Sequence, residues 1–400
     1  ALKENTTASN NTAVGFSALL LNTTGTSNVA VGKSALDANT DGNRNTGLGE
    51  SALGGNTSGD NNTAVGQGAL AGNTTANNNT AIGYQALVAN TTGIQNTAVG
   101  QAALDANTTA NYNVGIGANA LGVNTTGAGN TAVGTFALDA NTTGTENLAV
   151  GKSALGKNTT ASDNTALGSN ALLENTTGDQ NTAVGADALR LNVTGSQNTA
   201  LGKHALYNNT ANNNTAVGRS TLNQNTTGTG NTAVGTNALD ALTTANGNTA
   251  VGVDALGACV TGAINTAVGR DAGQNLTGDS NTLIGESAGE EITSGRRNTV
   301  LGRFNGNQDG LDIRTSNNYI VLSDGSGNPR IINHGSVSGA PTSFGTTATI
   351  LRTQSGGSGG AILNAQGLGI SDFARSDGVV VVVNRLSNDG SLLSLRQGGT

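Results

Sequence analysis

Tryptophan and methionine are absent from this chain of 400 residues, and aromatic side chains make up only 2 % of it. Globular cores of ordinary thickness use aromatic rings as bulk filler. An interior here must instead be built from Val, Ile, Leu and Ala, so it should be thin and regular. A single cysteine, Cys259, excludes an internal disulfide and any Cys-based metal cluster. The only two histidines, His204 and His334, are too few for a His-based metal site. Charged residues are 11 % of the chain and the net charge is −7, without acidic or basic runs. Lys and Arg never cluster beyond the pair Arg296-Arg297, so no nucleic-acid partner and no anionic-membrane surface is expected. No apolar run reaches the length of a membrane-spanning helix, so no membrane insertion is expected in this segment. The opening ALKENTTASN has no apolar signal segment, and without an initiator Met the chain is expected to be processed or a fragment. Nucleophile elbows, P-loops and paired-Cys motifs are missing. No catalytic residue, cofactor or metal is therefore expected.

What is present is a repeat. Low charge with high polarity suggests disorder, but here the polar residues are periodic. Asn-Thr-Ala-Val-Gly begins at Asn11 and returns, intact or as a close variant, for 18 copies ending with the one at Asn298. The step is 17 residues except from Asn198 to Asn214 and from Asn265 to Asn281, where it is 16. Counting that Asn as position 1, the consensus is N-T-A-V-G-x-x-A-L-x-x-N-T-T-G-x-x. Positions 1 and 5 are Asn and Gly in all 18 copies, and position 4 is always Val, Ile or Leu. Position 8 is Ala in 16, and position 9 is Leu in 15 consecutive copies, Leu19 through Leu256. A helical pair needs a longer repeat and tolerates Gly and Asn poorly in its interior. Short β-branched segments punctuated by Gly and Asn read as strands and turns. The spacing predicts an all-β parallel β-solenoid, one coil per repeat, with two strands and two turns in each coil. At about 4.8 Å per coil, 18 coils give a rod of roughly 85 Å.

Alternation along a strand sets positions 2 and 4 on one face and 3 and 5 on the other. Position 4, restricted to Val, Ile and Leu, is expected inside, with position 9 beside it. The resulting core ladder includes Val14, Leu19, Val65, Leu70 and Val99. Position 12 is Asn as far as Asn225, then Leu242 and Cys259. A site that accepts all three is expected to face inward, with Asn22, Asn39, Asn56 and Asn73 bonding their copies above and below. Cys259 is then a buried small hydrophobe rather than a reactive thiol. The Asn ladder at position 1 and the Gly at position 5 are expected to mark a turn with special backbone angles. Position 3, mostly Ala, points away from the core by the same alternation. The strip through Ala13, Ala64, Ala98 and Ala132 is expected to face neighbouring chains around a symmetry axis. Positions 6 and 7 are left as exposed columns open to a glycan, with no single residue standing out.

The string Asn-Thr-Ala-Val-Gly-x-x-Ala resembles the head repeat of YadA-type trimeric adhesins, whose repeats carry a similar Asn-Ser-Val-Ala-Ile-Gly. That family's repeat is shorter, so the likeness covers the strand and spans roughly residues 5–302. It implies a left-handed β-roll and a homotrimer. The repeats fail after Gly302, so residues 1–302 are expected to form the shaft and 303–400 a distal β-rich domain. There, Asn317–Asn328 reads as a strand followed by a turn, and Ser355–Gly360 as a flexible loop. Val379–Val383 and Leu392–Arg396, with Asp389-Gly390 between them, read as a hairpin. This stretch is similar to segments near the ends of phage tail fibres, and the similarity implies a C-terminal intramolecular chaperone following Thr400.

The expected function is a structural homotrimeric fibre, a virion tail fibre that projects a receptor-binding tip toward a host or cell surface, with a glycan as one class of receptor. The alternative is a bacterial cell-surface trimeric adhesin, and either is extracellular. A polysaccharide depolymerase needs an acidic pair in a groove. Asp37, Asp105, Asp139 and Asp240 share position 10 but lie mostly on non-adjacent coils, so they read as a solvated column. An ice-binding solenoid needs Thr two apart on one outward face. The Thr at positions 13 and 14 point opposite ways and the Thr at position 2 is expected inside, which argues against it. The Asn-Thr-Thr sequons follow from the repeat itself.

Overall fold

The computed structural model of the chain describes residues 1–334. The expected loop at Ser355–Gly360 and hairpin at Val379–Arg396 lie outside them. The chain is an all-β parallel solenoid, and the described residues contain no helix. Each repeat contributes one three-residue strand at positions 2–4, from β1 (Thr12–Val14) to β18 (Thr299–Leu301). Every strand pairs in parallel with its copies on the neighbouring coils, Ala over Ala and Val over Val, as in Ala81↔Ala98 and Ile82↔Val99. The 16-residue steps do not disturb this register, since Ala200 still pairs with Ala216.

The second strand expected in each coil does not form, and the reason is local. In the coil 96–112, Ala102 and Leu104 have φ of +50° and +54°. Two left-handed residues one apart fold the chain into a turn where an extended strand would need negative φ. Coil-to-coil bonding nevertheless continues through this segment. The Ala102 N–H donates to the Tyr84 carbonyl (2.9 Å), Leu104 to Ala120 (3.0 Å) and Ala106 to Gly122 (3.2 Å). A left-handed leucine costs about 1–2 kcal/mol, whereas burying one fully contributes roughly 1.5–3 kcal/mol. Burial wins narrowly. A β-branched residue at positive φ is far more strained, which accounts for Leu, never Val or Ile, at position 9.

Gly at position 5 is required twice over. Gly100 has φ +137°, and a Cβ on it would sit 2.5 Å from the Gly117 carbonyl oxygen of the next coil. No L side chain fits either condition. The Asn at position 1 needs no such backbone; in its place, position 17 is left-handed, as at Tyr112 (φ +62°).

Stacking runs one coil past the last repeat. β19 (Asn307–Gln308) and β20 (Leu311–Asp312) form a small antiparallel pair within a longer coil. β21 (Tyr319–Ser323) then lies parallel on β18, with Val300 opposite Val321. The turn at 324–328 follows, and β22 (Pro329–His334) returns antiparallel along β21. Phe304 and Ile313 fill the wider interior of this coil.

Candidate functional site

The interior is assigned by burial, and it corrects the expected facing. Position 3 points in. Ala64, Ala98 and Ala132 are fully buried, and Ala13 of the first coil packs partly buried against the same core. Position 4 points out. Val14 is 59 % exposed, Leu201 is 46 % exposed, and Val65 and Val99 are half-buried. Of the expected core ladder only Leu19 and Leu70 lie inside, each fully buried. Position 3 is held to Ala or Gly because the coil is narrow. A Cβ on Gly47 would already lie 3.0 Å from the Ala52 carbonyl and 3.5 Å from Leu36. Where the space opens, position 3 grows. Position 9 becomes Gly at Gly273 and Gly289, and Leu283 at position 3 fills the vacated volume, its methyls 2.7 and 2.8 Å from where those Cβ atoms would stand.

Asn22, Asn39, Asn56 and Asn73 are fully buried and form a ladder. Each Nδ2 donates to the Oδ1 of the preceding coil's Asn at 2.7–2.9 Å and to its own turn carbonyl at 2.9–3.1 Å. The ladder at position 1 lies in the interior too. From Asn28 onward the position-1 asparagines are buried as well, and the backbone N–H of Asn28 donates to Asn11 Oδ1 (2.9 Å), with the same bond in the coils that follow. These two amide columns satisfy polar groups that would otherwise be costly in a dry interior. The position-12 column is interrupted at the 16-residue coil, where Asn209 Nδ2 reaches only the Ala211 carbonyl and Asn192 Oδ1 has no partner. It ends at Asn225, whose Oδ1 is also unpartnered. Beyond it Leu242, Cys259, Leu276 and Ile292 continue the column with apolar atoms. Burial pushes the Cys259 thiol up to about 11, and its Sγ donates to the Gly262 carbonyl (3.6 Å).

The outer surface carries two kinds of feature. One is the outward strand face made by positions 2 and 4. Position 2 is Thr in 15 of 18 copies and lies exposed or half-buried, two residues from an outward Val, Ile or Leu. The aliphatic members form an unbroken stripe along β1 to β18, with Ile320 exposed beside its far end on β21. The premise that excluded a Thr array, an inward position 2, is thus overturned. The other feature is polar. Asp37, Asp105, Asp139 and Asp240 are half-buried at position 10. Desolvation raises the carboxyl pKa of each, with the Asp105 charge adding to the effect at Asp139 and that of Asp254 at Asp240. His204 and Arg190 both approach Asp187, at 3.7 and 3.5 Å, and Arg190 Nη1 donates to the Tyr207 hydroxyl (3.1 Å). Among the described residues no three His, Cys, Asp or Glu side chains converge on a point where a metal ion could sit.

No protein-family model, no curated protein and no solved structure matches the chain.

Proposed function

We propose that the chain is the shaft of a homotrimeric extracellular fibre, and that the aliphatic stripe at position 4 is the face each copy presents to the other two. The stripe carries the reading. Val, Ile or Leu stands outward on every one of the 18 coils. Contiguous apolar surface on this scale on a soluble protein marks an interaction face. In-register stacking gives a rod whose stability accumulates coil by coil, suited to holding an attachment tip away from a particle or cell. The likeness of the strand motif to YadA-type head repeats, and of the stretch after Gly302 to tail-fibre ends, supports a virion tail fibre, with a bacterial trimeric adhesin as the alternative. Three copies of a weak receptor contact gain affinity through effective concentration. The role is mechanical, without catalysis.

Sedimentation velocity tests it. Wild type should run at three times the chain mass, and Val99→Lys with Val133→Lys should run as a folded monomer. A monomeric wild type sinks the proposal.

One observation favours a second reading. The outward Thr-x-Val pairs form an in-register array, Thr over Thr and Val over Val, of the kind ice-binding solenoids use. Such an array must stay open to water, so thermal hysteresis from a monomeric chain would replace the fibre reading.

A further inference from the structure

We propose that coils three to five carry a binding notch for a single neutral pyranose unit of a glycan, centred on Gly68. The notch arises from a missing side chain. Position 7 carries Ser51 on one coil, nothing on the next at Gly68, and Gln85 on the third. The gap has a volume of about 140 Å³ and is bounded by Glu50, Ser51, Gln67, Gly68, Tyr84 and Gln85. That is room for one sugar ring and too small for a typical drug-sized ligand, whose sites start near 300 Å³.

The lining chemistry matches the size. Gln67 and Gln85 each offer a carbonyl acceptor and an amide donor, Ser51 offers a hydroxyl, and Glu50 accepts only. This mixed set suits vicinal hydroxyls, which donate and accept together. Tyr84, 48 % exposed, supplies an aromatic face for the C–H side of a pyranose. The Glu50 carboxylate is paired with Lys33 Nζ (3.1 Å), so the notch holds no unbalanced cation to draw a sugar acid. The main chain that carries the walls is fixed by coil-to-coil bonds. The Gly68 N–H donates to the Glu50 carbonyl (3.0 Å), the Gln85 N–H to Gln67 (3.0 Å) and the Ala102 N–H to Tyr84 (2.9 Å). Shallow sites of this size bind on the order of millimolar, the regime in which repeated copies on a fibre become useful.

The repeat supplies its own control. Gly68 has φ +66°, and Phe136 occupies the same position four coils further on at φ +58°. A Cβ on Gly68 would meet only Gln85 Cγ, at 3.6 Å. Gly68→Phe should therefore fill the notch without unfolding the coil. The test is saturation-transfer NMR on the full chain with methyl glycosides of glucose, galactose, mannose and N-acetylglucosamine, and glucuronic acid as the charged comparison. At least one neutral glycoside should receive saturation from wild type. Tyr84→Ala should weaken it about two- to tenfold, and Gly68→Phe should abolish it while circular dichroism stays unchanged. Saturation that survives Gly68→Phe, saturation of the acid alone, or none with any neutral glycoside would each overturn the proposal. The notch lies off the aliphatic stripe and needs only one chain. Chain mass measured on the same sample therefore separates its failure from failure of the trimer.

Discussion

Replacing one buried asparagine by leucine should be costly in the middle of the position-12 ladder and nearly free at its end. Asn107 is a middle member. Its Nδ2 donates to Asn90 Oδ1 (3.0 Å) and to the Ala110 carbonyl (3.1 Å), and its Oδ1 accepts from Asn124 Nδ2 (3.1 Å). In Asn107→Leu the Ala110 carbonyl keeps its bond from Asn96 Nδ2 (2.8 Å), and Asn124 keeps its bond to Gly127 (2.9 Å). Asn90 Oδ1 and one N–H of Asn124 are orphaned. At about 1–3 kcal/mol for each of two orphaned groups, the loss is about 2–6 kcal/mol. Asn225 is the end member. Its Oδ1 is already unpartnered, and its two acceptors, Asn209 Oδ1 and the Gly228 carbonyl, each keep a bond from Asn214 Nδ2 (3.1 and 2.7 Å). Asn225→Leu orphans nothing new and places an apolar side chain before Leu242, so it should stay within about 1 kcal/mol of wild type. Long repeat arrays do not unfold in one step, so the assay is native-state hydrogen exchange on the amides of the flanking coils. Equal losses in the two variants, or no loss in Asn107→Leu, would refute the ladder as a source of stability.

Other outcomes follow from the same geometry. Gly100→Ala places a Cβ against the Gly117 carbonyl at positive φ, and should cost about 3 kcal/mol or more in local opening, read by the same exchange experiment. Ala98→Lys puts a charge into the closed coil and should reduce folded yield, whereas Val99→Lys should leave the far-ultraviolet circular dichroism intact; the reverse would restore the inverted facing. Cys259 should not react with a thiol reagent at pH 8 until the chain is denatured, because burial holds its pKa up to about 11. For the acidic column the sign is the reverse of ordinary acid denaturation. Asp105 and Asp139 have folded pKa values raised by desolvation, so their ionised forms oppose folding, and stability rises as pH falls through those raised values. Asp105→Asn with Asp139→Asn should stabilise the rod at pH 7 and flatten its melting temperature between neutral pH and the carboxylate range. Asp324 behaves oppositely. Desolvation pushes its carboxyl up, but bonds from Arg330, Asn328 and Ser326 hold it down to about 2, so the turn before β22 should loosen as pH falls from about 4 toward 2.

The solenoid, its period and the inward amides at position 12 could be read directly from spacing, because stacking identical coils in register demands identical residues. The facing of the strand could not. A two-residue period separates positions 2 and 4 from position 3 but does not say which set is inside, and side-chain size points the wrong way. In an ordinary core Val is inside and Ala can be anywhere. In a coil this narrow the strand sits so close to the opposing turn that only Ala or Gly fits beneath it, and the larger side chains are displaced outward. One signal in the sequence did carry the answer. Leu283 and Val300 appear at position 3 just where position 9 has lost its Leu, at Gly273 and Gly289. Volume gained at one position as it is lost at the other means that the two share one interior. The missing second strand was hidden for a different reason. Nothing in Ala-Leu at positions 8 and 9 announces a left-handed leucine, a conformation kept only because burial outweighs its strain.

The asparagine column also has a direction. On either side of the shortened coil, each Nδ2 in it donates back to the Oδ1 of the preceding coil. The amide dipoles therefore add head to tail along the axis, with hydrogen-rich ends facing the N-terminus and oxygen ends facing the C-terminus. Chains of bonds aligned in this way polarise one another. The interior of the rod acts as a buried electric axis of the same sense as a helix macrodipole, in a segment that contains no helix. The shortened coil at Asn209 divides it into two such axes in series, each ending on a bare amide oxygen, at Asn192 and at Asn225.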